Sequence, residues 1–286
     1  MAEPERDALT GTVTTQHEWD GIQELDTPLP RWWLYTFYLT IVWGIGYTIF
    51  FPAWPLISTA TDGVLGFSSR AEVAEAIEAH AASNAEISAR IAAADFTEIA
   101  ANSDLDSFAR AGGAAIYRTY CSQCHGAGAA GAVGYPNLLD DDWLWGGDHE
   151  AIAYTLRHGI RWESDEDTHW SQMPAFGDDE ILTNEEIETV ADYALSLSGQ
   201  AEATDAGAEL FLDHCSGCHG EQGLGDPEQG APNLADAIWL YGSEREALIE
   251  TITHSRFGVM PAWSNRLTEA EIRQVAHYIH SLGGGE

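Results

Sequence analysis

The strongest constraint on this chain lies in its four cysteines, all of which stand in two motifs of identical spacing: Cys121-Ser122-Gln123-Cys124-His125 and Cys215-Ser216-Gly217-Cys218-His219. No cysteine is left over for a structural disulfide. Cysteines three apart fall on one face of a helical turn, and a helical pattern leads into each motif, over Ala111 to Tyr120 and Ala206 to His214. A bare C-x-x-C also suits a zinc site or a thioredoxin-like redox pair. Zinc would want both pairs converging on one ion, and a redox pair would want a strand-then-helix context, which neither motif has. A histidine directly after the second cysteine, twice over, is the pattern of covalent c-type haem attachment. The expected cofactors are therefore two covalently bound haem c groups. Cys121 with Cys124, and Cys215 with Cys218, form the thioethers, and His125 and His219 are the proximal iron ligands.

Methionine use extends this reading. Only Met1, Met173 and Met260 occur, and each of the last two follows one motif inside a Met-Pro-Ala tripeptide. In so methionine-poor a chain, one per motif is poorly explained by gap-filling in a core. Met173 is expected as the sixth iron ligand in the first domain and Met260 in the second. His/Met ligation suits an electron carrier and leaves no open iron position. The proline after each methionine restricts the loop backbone.

The two motifs belong to an internal duplication. Gly113, Tyr117 and Cys121 match Gly207, Phe211 and Cys215 at an offset of 94, and Asn137, Trp143, Gly146 and His158 match Asn233, Trp239, Gly242 and His254 at an offset of 96. The closing helices match at an offset of 85, Leu182, Ile187 and Tyr193 against Leu267, Ile272 and Tyr278, and both begin with a capping-box pattern, Thr183 to Glu186 and Thr268 to Glu271. A bound haem would supply much of the core of such small domains. His158 and His254 compete for the axial role but read as loop residues that could bond a propionate. His149, His169, His214, His277 and His280 have no counterpart in the other copy and read as surface residues. The Asn137 and Asn233 side chains are expected to bond local backbone. Trp143, Trp145 and Trp239 read either as porphyrin-packing or propionate-bonding residues or as ordinary core. From first cysteine to methionine the first copy has 52 residues and the second 45; the extra stretch, Arg161 to Gln172, reads equally as a docking surface or a solvated loop.

Ahead of the repeats, Trp32 to Phe51 is a run of twenty residues without a charge. As a helix it spans about 30 Å, the thickness of a bilayer's hydrocarbon core. The leader before it is long and acidic, unlike the short basic leader of a signal peptide, and no polar stripe marks it as a buried core helix. It is expected to be a retained anchor in the lipid bilayer. Residues 69 to 93 read as an alanine- and glutamate-rich helix with a stripe of Val73, Ile77, Ile87 and Ile91. The formal charge of −34, from 46 acids against twelve arginines and no lysine, argues against nucleic acid as a partner, which would require a basic patch. An acidic surface could steer a basic redox partner, but its even spread favours general solubility or salt adaptation.

The expected architecture is all-α: a single N-terminal transmembrane helix followed by two tandem cytochrome c-type (class I) haem domains. The segments are a tail over 1–31, the helix over 32–51, a linker over 52–107, and domains over 108–199 and 205–286. The chain also resembles the dihaem subunit III of cbb3-type cytochrome c oxidase. The resemblance rests on His17-Glu18-Trp19-Asp20-Gly21-Ile22-Gln23-Glu24-Leu25, on Pro28-Leu29-Pro30-Arg31-Trp32-Trp33, on Gly63-Val64-Leu65-Gly66-Phe67-Ser68, and on Ser171-Gln172-Met173-Pro174-Ala175-Phe176-Gly177. It implies a cytoplasmic tail and periplasmic haem domains at a bacterial inner membrane. It further implies a non-catalytic subunit that takes electrons from a cytochrome c donor. These pass toward a monohaem cytochrome subunit and the haem–copper oxidase catalytic subunit. A membrane-anchored dihaem cytochrome serving a periplasmic dehydrogenase and a dihaem peroxidase are the alternatives.

Overall fold

The structure, a computed structural model, describes residues 5–236 and 238–285; Met1 lies outside them. The chain divides into two compact units, Met1–Ser83 and Asn84–Glu286.

The first unit opens with an antiparallel hairpin of β1, Thr14–Trp19, and β2, Ile22–Leu25. Asp20 and Gly21 turn the chain with φ of 50° and 85°. Two successive positive φ values are what the tightest hairpin turn demands, and Asp-Gly is a dipeptide that supplies them. The hairpin is an addition to the helical plan expected from the sequence. Helix α1, Arg31–Phe50, follows; it has no buried residue and, among the described residues, is the one helix long and apolar enough to cross a membrane. It starts and stops one residue before the uncharged run does. Phe51 is extended, with φ −117° and ψ 159°, because the ring of Pro52 disfavours helical backbone at the preceding residue. Beyond it the chain folds back on the helix end. Val64 N–H donates to the Ile49 carbonyl at 2.9 Å and Leu65 N–H to that of Phe50 at 3.1 Å, satisfying acceptors that a helix terminus leaves open.

Helix α2, Ser69–Ala93, begins in the first unit and ends in the second. Its apolar stripe is only partly used: Val73 and Ile77 are exposed, whereas Ile91 is fully buried. The second unit continues with α3, Phe96–Ala101, and α4, Ser103–Ile116, capped by Asp95 and Asn102. A π-helical turn, Tyr117–Cys121, leads into α5, Ser122–His125, and then α6, His149–His158. Helix α7, Asn184–Leu197, precedes the second copy, built of α8, Asp205–His214, α9, Ser216–His219, α10, Arg245–His254, and α11, Glu269–His280. Both capping boxes form, Thr183 with Glu186 and Thr268 with Glu271.

The closing helices are exchanged between the copies. Helix α11, from the end of the second copy, packs along α4 of the first, and α7, from the end of the first, packs on α8 of the second. One core cluster joins Leu105, Ala109 and Tyr117 to Ile272, Val275 and Ile279; another joins Phe211 to Ile187 and Val190. The repeat-matched glycines sit at the two crossings. A Cβ on Gly113 would lie 2.5 Å from Tyr278 Cβ, and one on Gly207 2.7 Å from Tyr193 Cβ. The aromatic partners also match, Tyr117 with Tyr278 at 5.9 Å between ring centroids and Phe211 with Tyr193 at 5.3 Å.

Gly113→Val should destabilise the second unit by about 1–3 kcal/mol through overpacking, read as a lowered unfolding midpoint. A double-mutant cycle of Tyr117→Leu with Tyr278→Leu should give a coupling of about 0.5–1.5 kcal/mol, whereas Tyr117→Leu with Tyr193→Leu should be additive. The opposite outcome would contradict the crossed packing.

Candidate functional site

Each C-x-x-C-H motif occupies the turn at which a helix with one buried face runs out. In the first copy the Tyr117 hydroxyl donates to the Gly126 carbonyl at 2.7 Å, tying the π-helical turn to the residue after His125. Gly126 and Gly220, with φ of 80° and 75°, end the two short motif helices. Cys121 is buried and Cys215 half-buried, while Cys124 and Cys218 are exposed. Burial, and next the neighbouring cysteine, push the Cys121 and Cys215 thiols up to about 11. Reactive redox cysteines have lowered values instead, so a thioredoxin-like role does not fit. Nor do the two pairs converge, because Cys215 and Cys218 line one cavity and Cys121 lines another.

Backbone carbonyls orient both motif histidines. His125 Nδ1 lies 3.1 Å from the Pro136 carbonyl oxygen and His219 Nδ1 3.0 Å from that of Pro232. A carbonyl only accepts, so Nδ1 carries the proton and the Nε2 lone pair is free. Burial lowers both histidine pKa values, against the opposing effect of the carbonyl bonds, and favours the neutral ring that a metal needs. The asparagines after these prolines bond locally as expected, Asn137 Oδ1 accepting from Leu139 N–H at 3.0 Å and Asn233 Oδ1 from Ala235 N–H at 2.9 Å.

The methionines are paired across the copies, not within them. Met260 lines the cavity of Cys121 and His125, about 90 Å³, together with Ile279 of α11. Met173 lines the larger cavity of Cys215, Cys218 and His219, about 440 Å³. This reverses the expected assignment of Met173 to the first motif and Met260 to the second. The cause is the helix exchange: each Met-Pro-Ala loop leads into a closing helix and travels with it. Met260 is further fixed by Ile160, with which it exchanges both backbone hydrogen bonds, at 2.9 and 3.0 Å. The cavities adjoin, since Pro136, Asn137, Asp142 and Leu144 line both.

The donor sets fit a covalent haem: Cys215, Cys218, His219 and Met173 line the larger cavity, and Cys121, His125 and Met260 line the smaller, with Cys124 exposed one turn beyond Cys121. A further observation agrees in the second cavity. The indole N–H of Trp239, which lines it, is buried without a partner among the described residues, so a haem propionate would supply the missing acceptor. Trp143, by contrast, donates its indole N–H to the Gly284 carbonyl, and Trp145 stacks on His169 at 4.2 Å.

The remaining histidines divide. His158 and His254 line neither cavity; their Nδ1 atoms meet Asp165 at 3.1 Å and Asp178 at 2.9 Å. His214 is exposed as expected. His277 is not a surface residue but 2% exposed, its Nε2–H donating to Asp106 Oδ1 at 2.8 Å and its Nδ1 lying 3.2 Å from His149 Nε2. His280 stacks on His149 at 3.6 Å. The burial of His277 follows from α11 lying on α4, a contact that the order of the repeats conceals. Nor is the stretch from Arg161 to Gln172 simply solvated loop, because Arg161, Ser171 and Gln172 line the larger cavity.

Residues 11–58 match the family model for the N-terminal domain of cytochrome oxidase-cbb3, FixP. Residues 109–193 and 202–279 match that for cytochrome c oxidase, cbb3-type, subunit III. The cbb3-type cytochrome c oxidase subunit CcoP of Cereibacter sphaeroides is 57% identical over 276 residues, covering 96% of this chain and 95% of that protein. The FixP subunit of Bradyrhizobium sp. is 51% identical over 286 residues, covering 99% and 98%. That of Sinorhizobium medicae is 49% identical over 283 residues, covering 98% and 97%. With two haem-type motifs, adjoining cavities and matches over nearly its whole length, the chain belongs to the subunit III family of cbb3-type cytochrome c oxidases.

Proposed function

We propose that this chain is the dihaem electron-transfer subunit of a cbb3-type oxidase, passing electrons from a cytochrome c donor toward the monohaem and haem–copper subunits. The carrying observation is that each cavity combines a histidine Nε2 with a methionine and that the two cavities share a wall. The chain carries two haem c groups, and each supplies a one-electron ferric–ferrous couple when bound. Cys121 and Cys124 would hold one, with His125 and Met260 as its iron ligands. Cys215 and Cys218 would hold the other, with His219 and Met173. A histidine and a methionine together would keep the potential high and leave the iron no position for oxygen or peroxide, which favours a carrier over a peroxidase. The chain's own part is to bind and orient: the Pro136 and Pro232 carbonyls hold the imidazoles in one tautomer, and the apolar walls exclude water. Helix α1 anchors the subunit in the inner membrane with the haem-bearing unit in the periplasm.

Two experiments test this reading. Purification in mild detergent should recover the chain with a subunit containing b-type haem and copper; recovery without one would remove the oxidase assignment. The crossed ligation is read by combining substitutions. With Cys121→Ala and Cys124→Ala the protein should retain one haem. Adding Met173→His should then abolish the weak near-infrared methionine–iron band and lower the potential, whereas adding Met260→His should change neither. The reverse result would restore ligation within each copy.

A further inference from the structure

Arg161 sits at the start of the stretch that lengthens the first copy, in left-handed backbone with φ 52°. In a chain with 46 acids, it belongs to none of the ion pairs among the described residues. Its guanidinium bonds two carbonyls instead. Nε–H donates to the Ser171 oxygen at 2.6 Å and Nη1–H to the Gly258 oxygen at 3.0 Å. Ser171 stands two residues before Met173, and Gly258 two residues before Met260. One side chain therefore ties the equivalent points of both Met-Pro-Ala loops.

The base of this fork is itself held. Arg161 N–H donates to the His169 carbonyl at 2.8 Å, and the preceding residue, Ile160, is paired through both backbone groups with Met260. The Phe257 ring lies 5.6 Å from the guanidinium carbon. Burial lowers the Arg161 pKa, and two charge-assisted carbonyl bonds offset that desolvation. A planar group with donors in fixed directions can serve two acceptors on different loops; a single ammonium nitrogen cannot reproduce that spacing.

We propose that Arg161 is a positioning residue that locks both axial-methionine loops together, so that the iron–methionine bonds of the two haems are mechanically coupled. This rests on Met173 and Met260 being the axial ligands. Neither loop can relax from its haem without breaking a bond to the side chain that also holds the other.

The test uses the full chain, haem-loaded and in detergent. Its readouts are the methionine–iron band, the potential of each haem, and imidazole binding. Arg161→Gln should weaken the band at both haems, lower both potentials, and raise imidazole affinity at each by roughly tenfold for the hydrogen bond lost. Arg161→Lys should not restore both sites, and it carries the test alone if Arg161→Gln does not accumulate. Arg110→Gln, which breaks an exposed ion pair with Asp106 within α4, should leave every readout unchanged. Wild-type behaviour in Arg161→Gln, loss at one haem only, or full recovery with lysine would each overturn the coupling. Failure of the ligand assignment is seen separately, as a wild-type protein without two methionine–iron bands.

Discussion

The haem-bearing unit depends on two helix crossings made possible by glycine. At Gly113 and Gly207 the backbones of α4 and α8 come close enough to α11 and α7 that a methyl group would collide. That approach lets Tyr117 and Phe211 bury almost completely, each 1% exposed. Full burial of a large apolar side chain contributes about 1.5–3 kcal/mol, and a well-placed aromatic pair about 0.5–1.5 kcal/mol more. Everything that positions the methionines follows from which helix enters which crossing. Because each closing helix enters the other copy's crossing, neither copy holds a complete core, and residues 84–286 form one unit.

Three of the twelve arginines stand at these junctions. Arg157 of α6 bonds Glu269 of α11 through two nitrogens, at 3.0 and 2.6 Å. Arg273 joins the same carboxylate at 2.9 Å and reaches the Ala94 carbonyl at 2.8 Å. The Arg157 hydrogen bond, ahead of the other contributions, holds Glu269 below the usual carboxylate range. Arg245 of α10 meets Asp192 of α7 at 2.6 Å. Partly exposed pairs of this kind contribute only about 0–1 kcal/mol each, so their weight is in specificity. On a surface of uniform negative charge, a few arginines select which acidic helix lies where. Arg161 bonds the two methionine loops through carbonyls and forms no ion pair among the described residues.

Most of the local chemistry was legible in the residues. The C-x-x-C-H spacing located both cavities, the rarity of methionine picked out Met173 and Met260, and the Thr-x-x-Glu patterns marked the starts of α7 and α11. The hairpin turn at Asp20-Gly21 also carried a recognisable signal, which a reading of the tail as merely polar passed over. The buried His277 carried none, because its environment is made by α4, more than 160 positions away in the chain. The destination of the methionines was hidden by the duplication itself. Gly113 and Gly207 are equivalent, as are Tyr193 and Tyr278, so either closing helix satisfies either crossing. One local clue pointed the right way. Residues 198–204 make a short connection between α7 and α8, and short connections make consecutive helices antiparallel neighbours.

By itself the sequence determined the two C-x-x-C-H motifs, the two Met-Pro-Ala loops, the membrane-length helix and the presence of two like copies, since each of these is written in spacing or composition over a few residues. The tertiary structure alone decided that Met260 lines the cavity of the first motif and Met173 that of the second, that the two cavities share a wall, and that one arginine reaches both methionine loops. The physical reason is degeneracy. Two near-identical packing surfaces are indistinguishable to any local rule, and only the connection between α7 and α8 and the contacts of the folded chain separate them.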